Sequence, residues 1–201
     1  AQLAERTAAK LFVSVVNVVE PGAERECRAR TKGMNCDYKI VVDDRAGQPV
    51  NAAQTLDKNG RPIIIFTRAM IADVRNADEL AFVMGHEAAH HIQRHIDKQR
   101  QITVAGAQLF GGLASVLSGG REDAVQAGVE FGAELGSRTY SKDFELEADA
   151  LGAVIAARAG YDPVRGAAFF TRLPDPGNKF LGSHPANADR IDTVRAVASR
   201  L

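Results

Sequence analysis

The chain has 201 residues, with Lys+Arg and Asp+Glu balanced at 25 each and a formal net charge of zero. A phosphate-binding surface needs a surplus of cations, so this balance argues against a nucleic-acid partner. A hydrophobic share of 45% without tryptophan fits an ordinary globular protein, long enough for one domain with a real core.

The start at Ala1-Gln2, without methionine, reads as processed or trimmed, and a removed signal peptide fits it. Residues 3–19 alternate between helical and extended signals, with Leu11, Phe12, Val15 and Val18 making an apolar helical stripe that Pro21-Gly22 is expected to end. Cys27 and Cys36 follow in a polar, turn-prone stretch. Their spacing matches no zinc module, and neither lies beside a candidate base. A disulfide closing this short loop is the expectation, with two reduced thiols as the alternative. The disulfide would place the chain in an oxidising compartment such as a periplasm.

Residues 38–42 read as a strand, followed by a turn at 44–47 and a second extended stretch near 50–56. Asn59-Gly60 has the chemistry of a hairpin turn into Pro62-Ile63-Ile64-Ile65-Phe66-Thr67, the clearest strand in the chain. Asn76-Ala77-Asp78-Glu79 resembles a capping box opening a long helix to about Gln99, with Leu80, Val83 and Ala88 on its buried stripe. Residues 102–117, rich in Ala, Gly and Leu, read as a buried helix. A membrane-surface or site-covering element is the alternative, because the run is too short and glycine-rich for a confident span. Two further helices are predicted over 122–135 and 141–159, the second stopped by Gly160. Asp162-Pro163 opens another to about Leu173. A loop over 174–182 and a final helix over 185–199 complete an α+β domain, a small N-terminal sheet followed by many helices.

The segment Gly85-His86-Glu87-Ala88-Ala89-His90 carries the chemistry. Two imidazoles four residues apart lie one helical turn from each other on one face, so both can grip one Zn²⁺. Glu87, directly after the first histidine, can hold a water at the metal and take its proton. A catalytic zinc site needs a third protein ligand and one open position. No cysteine lies downstream, so that ligand is a carboxylate or His184. The richest candidate segment is Ser141-Lys142-Asp143-Phe144-Glu145-Leu146-Glu147-Ala148-Asp149, in which Glu145 and Asp149 share a helix face. Asp149 could accept the second N–H of a liganding histidine and fix its tautomer. His91 and His95 form another pair four apart, about 100° around the helix, but Ile92 stands where the acid is needed. They read as residues that hydrogen-bond neighbouring helices or face solvent.

Together, His86-Glu87-x-x-His90, Ser141-x-x-x-Glu145-x-x-Ala148-Asp149 and His184-Pro185-x-x-x-x-Arg190-Ile191 resemble the HtpX and CAAX prenyl protease family of gluzincin zinc metallopeptidases, its soluble periplasmic members above all. The similarity covers roughly residues 38–195, with Lys142 where the family usually has arginine. The long membrane helices of the family's integral-membrane members are missing. The resemblance implies a single catalytic domain over 1–201, in which an N-terminal helix and cysteine loop (1–37) precede a helix-dominated zincin-like core (38–201). Its small β-sheet would border the active-site cleft. The resemblance also implies one Zn²⁺ held by His86, His90 and Glu145, with Asp149 and Arg190 behind the ligands.

Family membership further implies that residues 63–67 offer a strand edge on which an extended peptide could pair. Zinc would lower the pKa of its water and polarise the scissile carbonyl, with Glu87 as base and then acid. A donor for the developing oxyanion is expected opposite Glu87, with His184 the first candidate and Arg190 or Tyr140 the weaker ones. In periplasmic relatives a histidine of the matching His-Pro motif can fill the open zinc position, so His184 is also a candidate switch. The expected activity is endopeptidase cleavage of misfolded or membrane-associated polypeptides, outer-membrane proteins among them, in a bacterial periplasm or envelope. The alternative is an envelope chaperone or assembly factor whose protease site is silenced or secondary.

Overall fold

A computed structural model describes residues 5–174 and 185–201, with side chains left aside at 5 and 137–141. The elements in chain order are α1 (Glu5–Arg30), β1 (Lys39–Asp43), β2 (Ala52–Leu56), β3 (Pro62–Thr67), α2 (Arg68–Asp73), α3 (Ala77–Ile92), α4 (His95–Ser118), α5 (Glu122–Arg158), α6 (Pro163–Ala167), a 3₁₀ turn (Ala168–Arg172) and α7 (Asn187–Ala198). The expected α+β class, helix-dominated with a small sheet, holds. These elements fall into two compact units. One contains α1 to α3, the sheet, α5 from Leu146 onward, α6, the 3₁₀ turn and α7; the other contains α4 and α5 up to Glu145.

In the first unit, α1 does not stop at Pro21 as the sequence suggested. The proline forfeits one helical hydrogen bond, to the carbonyl of Asn17. Burial of Val15, Val19, Ala23 and Cys27 on one stripe, either side of Pro21, outweighs that cost of about 3 kcal/mol. Cys27 therefore sits in the last helical turns rather than in a loop, and it is disulfide-bonded to Cys36.

The sheet has the order β1-β3-β2. β3 runs parallel to β1, with Ile63 opposite Lys39, and antiparallel to β2, with Ile64 opposite Gln54. Gly60, at φ 77°, makes the β2–β3 turn, where the Asp57 carboxylate accepts the N–H groups of Asn59 and Arg61. Ile64 and Phe66 point into the core, and the Phe66 ring meets Phe12 of α1 edge-on at 5.3 Å. This arrangement corrects the expectation of a peptide-binding edge at 63–67. β3 spends its backbone donors and acceptors on strands to both sides, so among the described residues the free edges belong to β1 and β2.

The α3 start is as read from the sequence: Asn76 accepts the N–H of Glu79 at 3.0 Å. Glu79 turns its carboxylate to the N–H of Arg75 and to both terminal nitrogens of Arg172. The helix was expected to reach Gln99, but it ends at Ile92. Arg94 adopts a left-handed conformation (φ 59°, ψ 39°), and α4 begins anew at His95. A non-glycine residue there costs about 1–2 kcal/mol. Burial of His95 and its stacking on Phe144, ring centres 4.6 Å apart, oppose that cost.

The predicted break between helices over 122–135 and 141–159 is absent, and α5 is one helix of 37 residues. Its Gly128, Gly132 and Gly136 lie against α4, where a Cβ on Gly132 would come within 2.1 Å of the Gly106 carbonyl oxygen. The expected burial of 102–117 is overturned as well. α4 is largely exposed, because glycine backbone makes much of its contact with α5, while Val104, Leu109, Leu113, Val116 and Leu117 lie outside that contact.

Candidate metal centre

Two glycines on facing helices allow the site to form. A Cβ on Gly152 of α5 would stand 2.7 Å from the backbone nitrogen of His86, and one on Gly85 would stand 2.8 Å from the Gly152 carbonyl oxygen. Only glycine at both positions permits α3 and α5 to touch by backbone here. That approach brings Asp149, three residues before Gly152, against the His86 ring.

Asp149 is fully buried, and its Oδ1 lies 2.8 Å from His86 Nδ1. A carboxylate accepts, so Nδ1 carries the proton and the lone pair of His86 is on Nε2. Arg190 of α7 donates to both Asp149 oxygens, from Nε and from Nη2, each at 2.7 Å. Its guanidinium lies 3.8 Å from the centre of the Phe170 ring. Phe170 meets Phe82 edge-on, and Phe82 lies one turn before His86. The buried carboxylate is thus neutralised by one cation, which an aromatic face holds flat.

His90 stands one turn after His86, and the two Nε2 atoms are 3.0 Å apart. Glu145 lies on α5 one turn before Asp149. His86, His90 and Glu145 each offer a ligand atom, and these atoms all lie within 4.8 Å of one another. Glu87 is half-buried on the same helix. Two imidazole nitrogens and one carboxylate oxygen form a donor set that suits Zn²⁺ with one coordination position left open. The fixed tautomer of His86 satisfies the outer requirement of such a site.

His184, expected as oxyanion donor or switch, lies outside the described residues, as does the Tyr140 side chain. Arg190 is committed to Asp149 through two nitrogens. His91 is turned away from the site, with Nε2 2.7 Å from the Asn35 carbonyl, and His95 stacks on Phe144.

Sequence reasoning missed Tyr38. Its hydroxyl donates to the Ala88 carbonyl at 3.0 Å, inside α3, while its ring meets His91 edge-on. Burial holds this phenol above its ordinary pKa range, so it remains a donor throughout the working pH. Gly152 was also missed, although a glycine three residues after a candidate Asp is the sequence sign of such close packing.

The chain matches the model of Peptidase family M48 over residues 15–198. A Vibrio cholerae serotype O1 protein is 33% identical over 138 residues, which is 60% of this chain and 28% of that protein. The beta-barrel assembly-enhancing protease of Yersinia pestis is 28% identical over 150 residues, and that of Escherichia coli K12 is 25% identical over 150 residues. Each alignment covers 69% of this chain and 31% of the relative. The chain therefore spans under a third of the length of these curated relatives. Because the family match takes in nearly all of the sequence, both histidines and every element from the sheet to α7, the chain belongs to peptidase family M48.

Proposed function

We propose that this protein is a zinc-dependent endopeptidase, with His86, His90 and Glu145 as ligands of one Zn²⁺ and Glu87 as general base. The observation that carries the reading is the convergence of those three ligand atoms within 4.8 Å, behind a histidine whose tautomer Asp149 fixes. When bound, zinc lowers the pKa of water at its open position and polarises a carbonyl. Glu87 takes the proton of the attacking water and returns it to the departing amine. Asp149 and Arg190 hold the His86 ring in place. The backbone edge of β2, antiparallel to β3 and next to α3, offers an extended polypeptide a pairing surface. His184 is proposed, from its motif, as the group that meets the developing oxyanion or fills the open position at rest.

The relatives' name joins proteolysis to β-barrel assembly. With the disulfide, this supports a bacterial periplasm or envelope as the working compartment and non-native outer-membrane polypeptides as the substrates. The 201 residues are proposed to act as a single catalytic domain.

The test is metal dependence. The zinc-loaded chain is expected to bind one Zn²⁺ and cleave casein. Chelation should abolish cleavage, and added Zn²⁺ should restore it. Glu145→Ala should weaken zinc binding by at least about 100-fold while leaving the helical circular dichroism unchanged. Undiminished cleavage by the metal-free chain would overturn the proposal.

A further inference from the structure

In the hairpin of α4 and α5, most of the large apolar side chains of α4 are on the outside. In a water-soluble helix pair the larger apolar residues fill the contact and small or polar ones face out. Here the contact is made by glycine: Gly106 on Gly132, Gly111 on Val129, Gly128 on the Phe110 carbonyl and Gly136 on Ile102. The outer face of α4 carries Leu109, Leu113, Val116 and Leu117, of which Val116 is 81% and Leu117 78% exposed. Phe110 continues the apolar surface onto α5 through its edge-on contact with the exposed Phe131, ring centres 5.1 Å apart.

Close backbone contact through small residues, with large apolar groups outward, is how helices pack where the surroundings are hydrocarbon and give no drive to bury them. α4 has the length and composition of a membrane-crossing helix, yet it is neither at the N-terminus nor a core helix, being only 6% buried over its most apolar window.

Charge decides how such a hairpin meets lipid. No charged residue falls between Ile102 and Ser118, a rise of about 25 Å. The exposed cations Lys98 and Arg100 stand just before this run, where headgroup phosphates would lie. On α5, Glu130 and Glu134 each follow an α4-contacting glycine by two residues, about 200° around the helix, and so face away from α4. Immersing the whole hairpin would bury those carboxylates, whereas laying only the α4 face into the bilayer surface leaves them in water.

We propose that the α4 face of Leu109, Leu113, Val116 and Leu117, continued by Phe131, docks this protein on the interfacial region of a phospholipid bilayer, without crossing it. The proposal does not depend on the metal site.

The chain has no tryptophan, so a single introduced one reports on one position. Leu113→Trp should shift its emission to the blue with vesicles of 70:30 phosphatidylethanolamine and phosphatidylglycerol, whereas Gln126→Trp on α5 should not. In flotation the wild-type chain should rise with the vesicles, and Leu113→Asp/Leu117→Asp should reduce the vesicle-bound to free ratio at least about tenfold. The double variant should keep its circular dichroism and its zinc binding. Absence of wild-type flotation, or equal flotation of the double variant, would overturn the proposal. So would a blue shift at both tryptophans, or a concentration-dependent self-association without lipid that the double variant abolishes, which would make a second copy the occupant.

Discussion

Asp149 joins two jobs that separate residues often perform. It accepts the Nδ1 proton of His86 and neutralises Arg190, and no solvent reaches it. Removing a member of a buried, hydrogen-bonded ion pair leaves the other charge uncompensated, at about 3–5 kcal/mol. Asp149→Ala is therefore expected to lower the stability of the metal-free chain by that order. It should also weaken zinc binding by about 10- to 100-fold, because the His86 ring loses its orienting acceptor. Denaturant unfolding and competitive zinc titration measure the two separately. A change in zinc affinity without a loss of stability would remove the structural half of the role. The spacing of Glu145 and Asp149 on one helix face was legible in the sequence, as was a hydrogen bond between Asp149 and a histidine of the His86–His90 pair. Arg190 was placed behind the ligands only by resemblance, since its contact with Asp149 spans 41 positions and no local pattern announces it.

Helices approach one another as closely as their smallest facing residues allow, and α3 meets α5 at Gly85 and Gly152. Gly152→Ala would drive a Cβ into the His86 backbone, so a loss of about 1–3 kcal/mol is expected, together with weaker zinc binding. Gly22 provides the opposite sign. It lies in the interior of α1, and a Cβ there would meet nothing closer than 3.8 Å. Gly22→Ala should stabilise by about 0.5–1 kcal/mol through helix propensity alone. Thermal unfolding of both variants checks the pair, and equal effects would refute the packing account. Helix starts at Asn76 and Asp162 were legible because a cap is a local hydrogen bond. The passage of α1 through Pro21, the break at Arg94 and the continuity of α5 were not, because packing against distant residues decides each of them. Burial of α4 was misjudged for a related reason: an apolar run reads alike whether it faces protein or something else.

For the whole molecule, the disulfide secures the layer packed behind α3. It joins α1 to the segment that supplies Asn35 to His91 and Tyr38 to the Ala88 carbonyl. Opening this short loop is expected to cost about 2–3 kcal/mol by chain entropy. Cys27→Ala/Cys36→Ala should therefore unfold at lower denaturant, and reduction should move the wild-type midpoint to match. The class of the fold was legible from the order of strands and helices, but the sheet order was not, since a strand pattern does not say which neighbours it will pair with. The same limit misplaced the peptide-pairing edge on β3. The central claim, hydrolysis with Glu87 as base at a zinc held by this fold, is tested most directly by Glu87→Gln, with zinc content and casein cleavage measured on the same sample. The account predicts one Zn²⁺ per chain with cleavage reduced by at least about 100-fold. Cleavage at the wild-type rate by the zinc-loaded variant would contradict it.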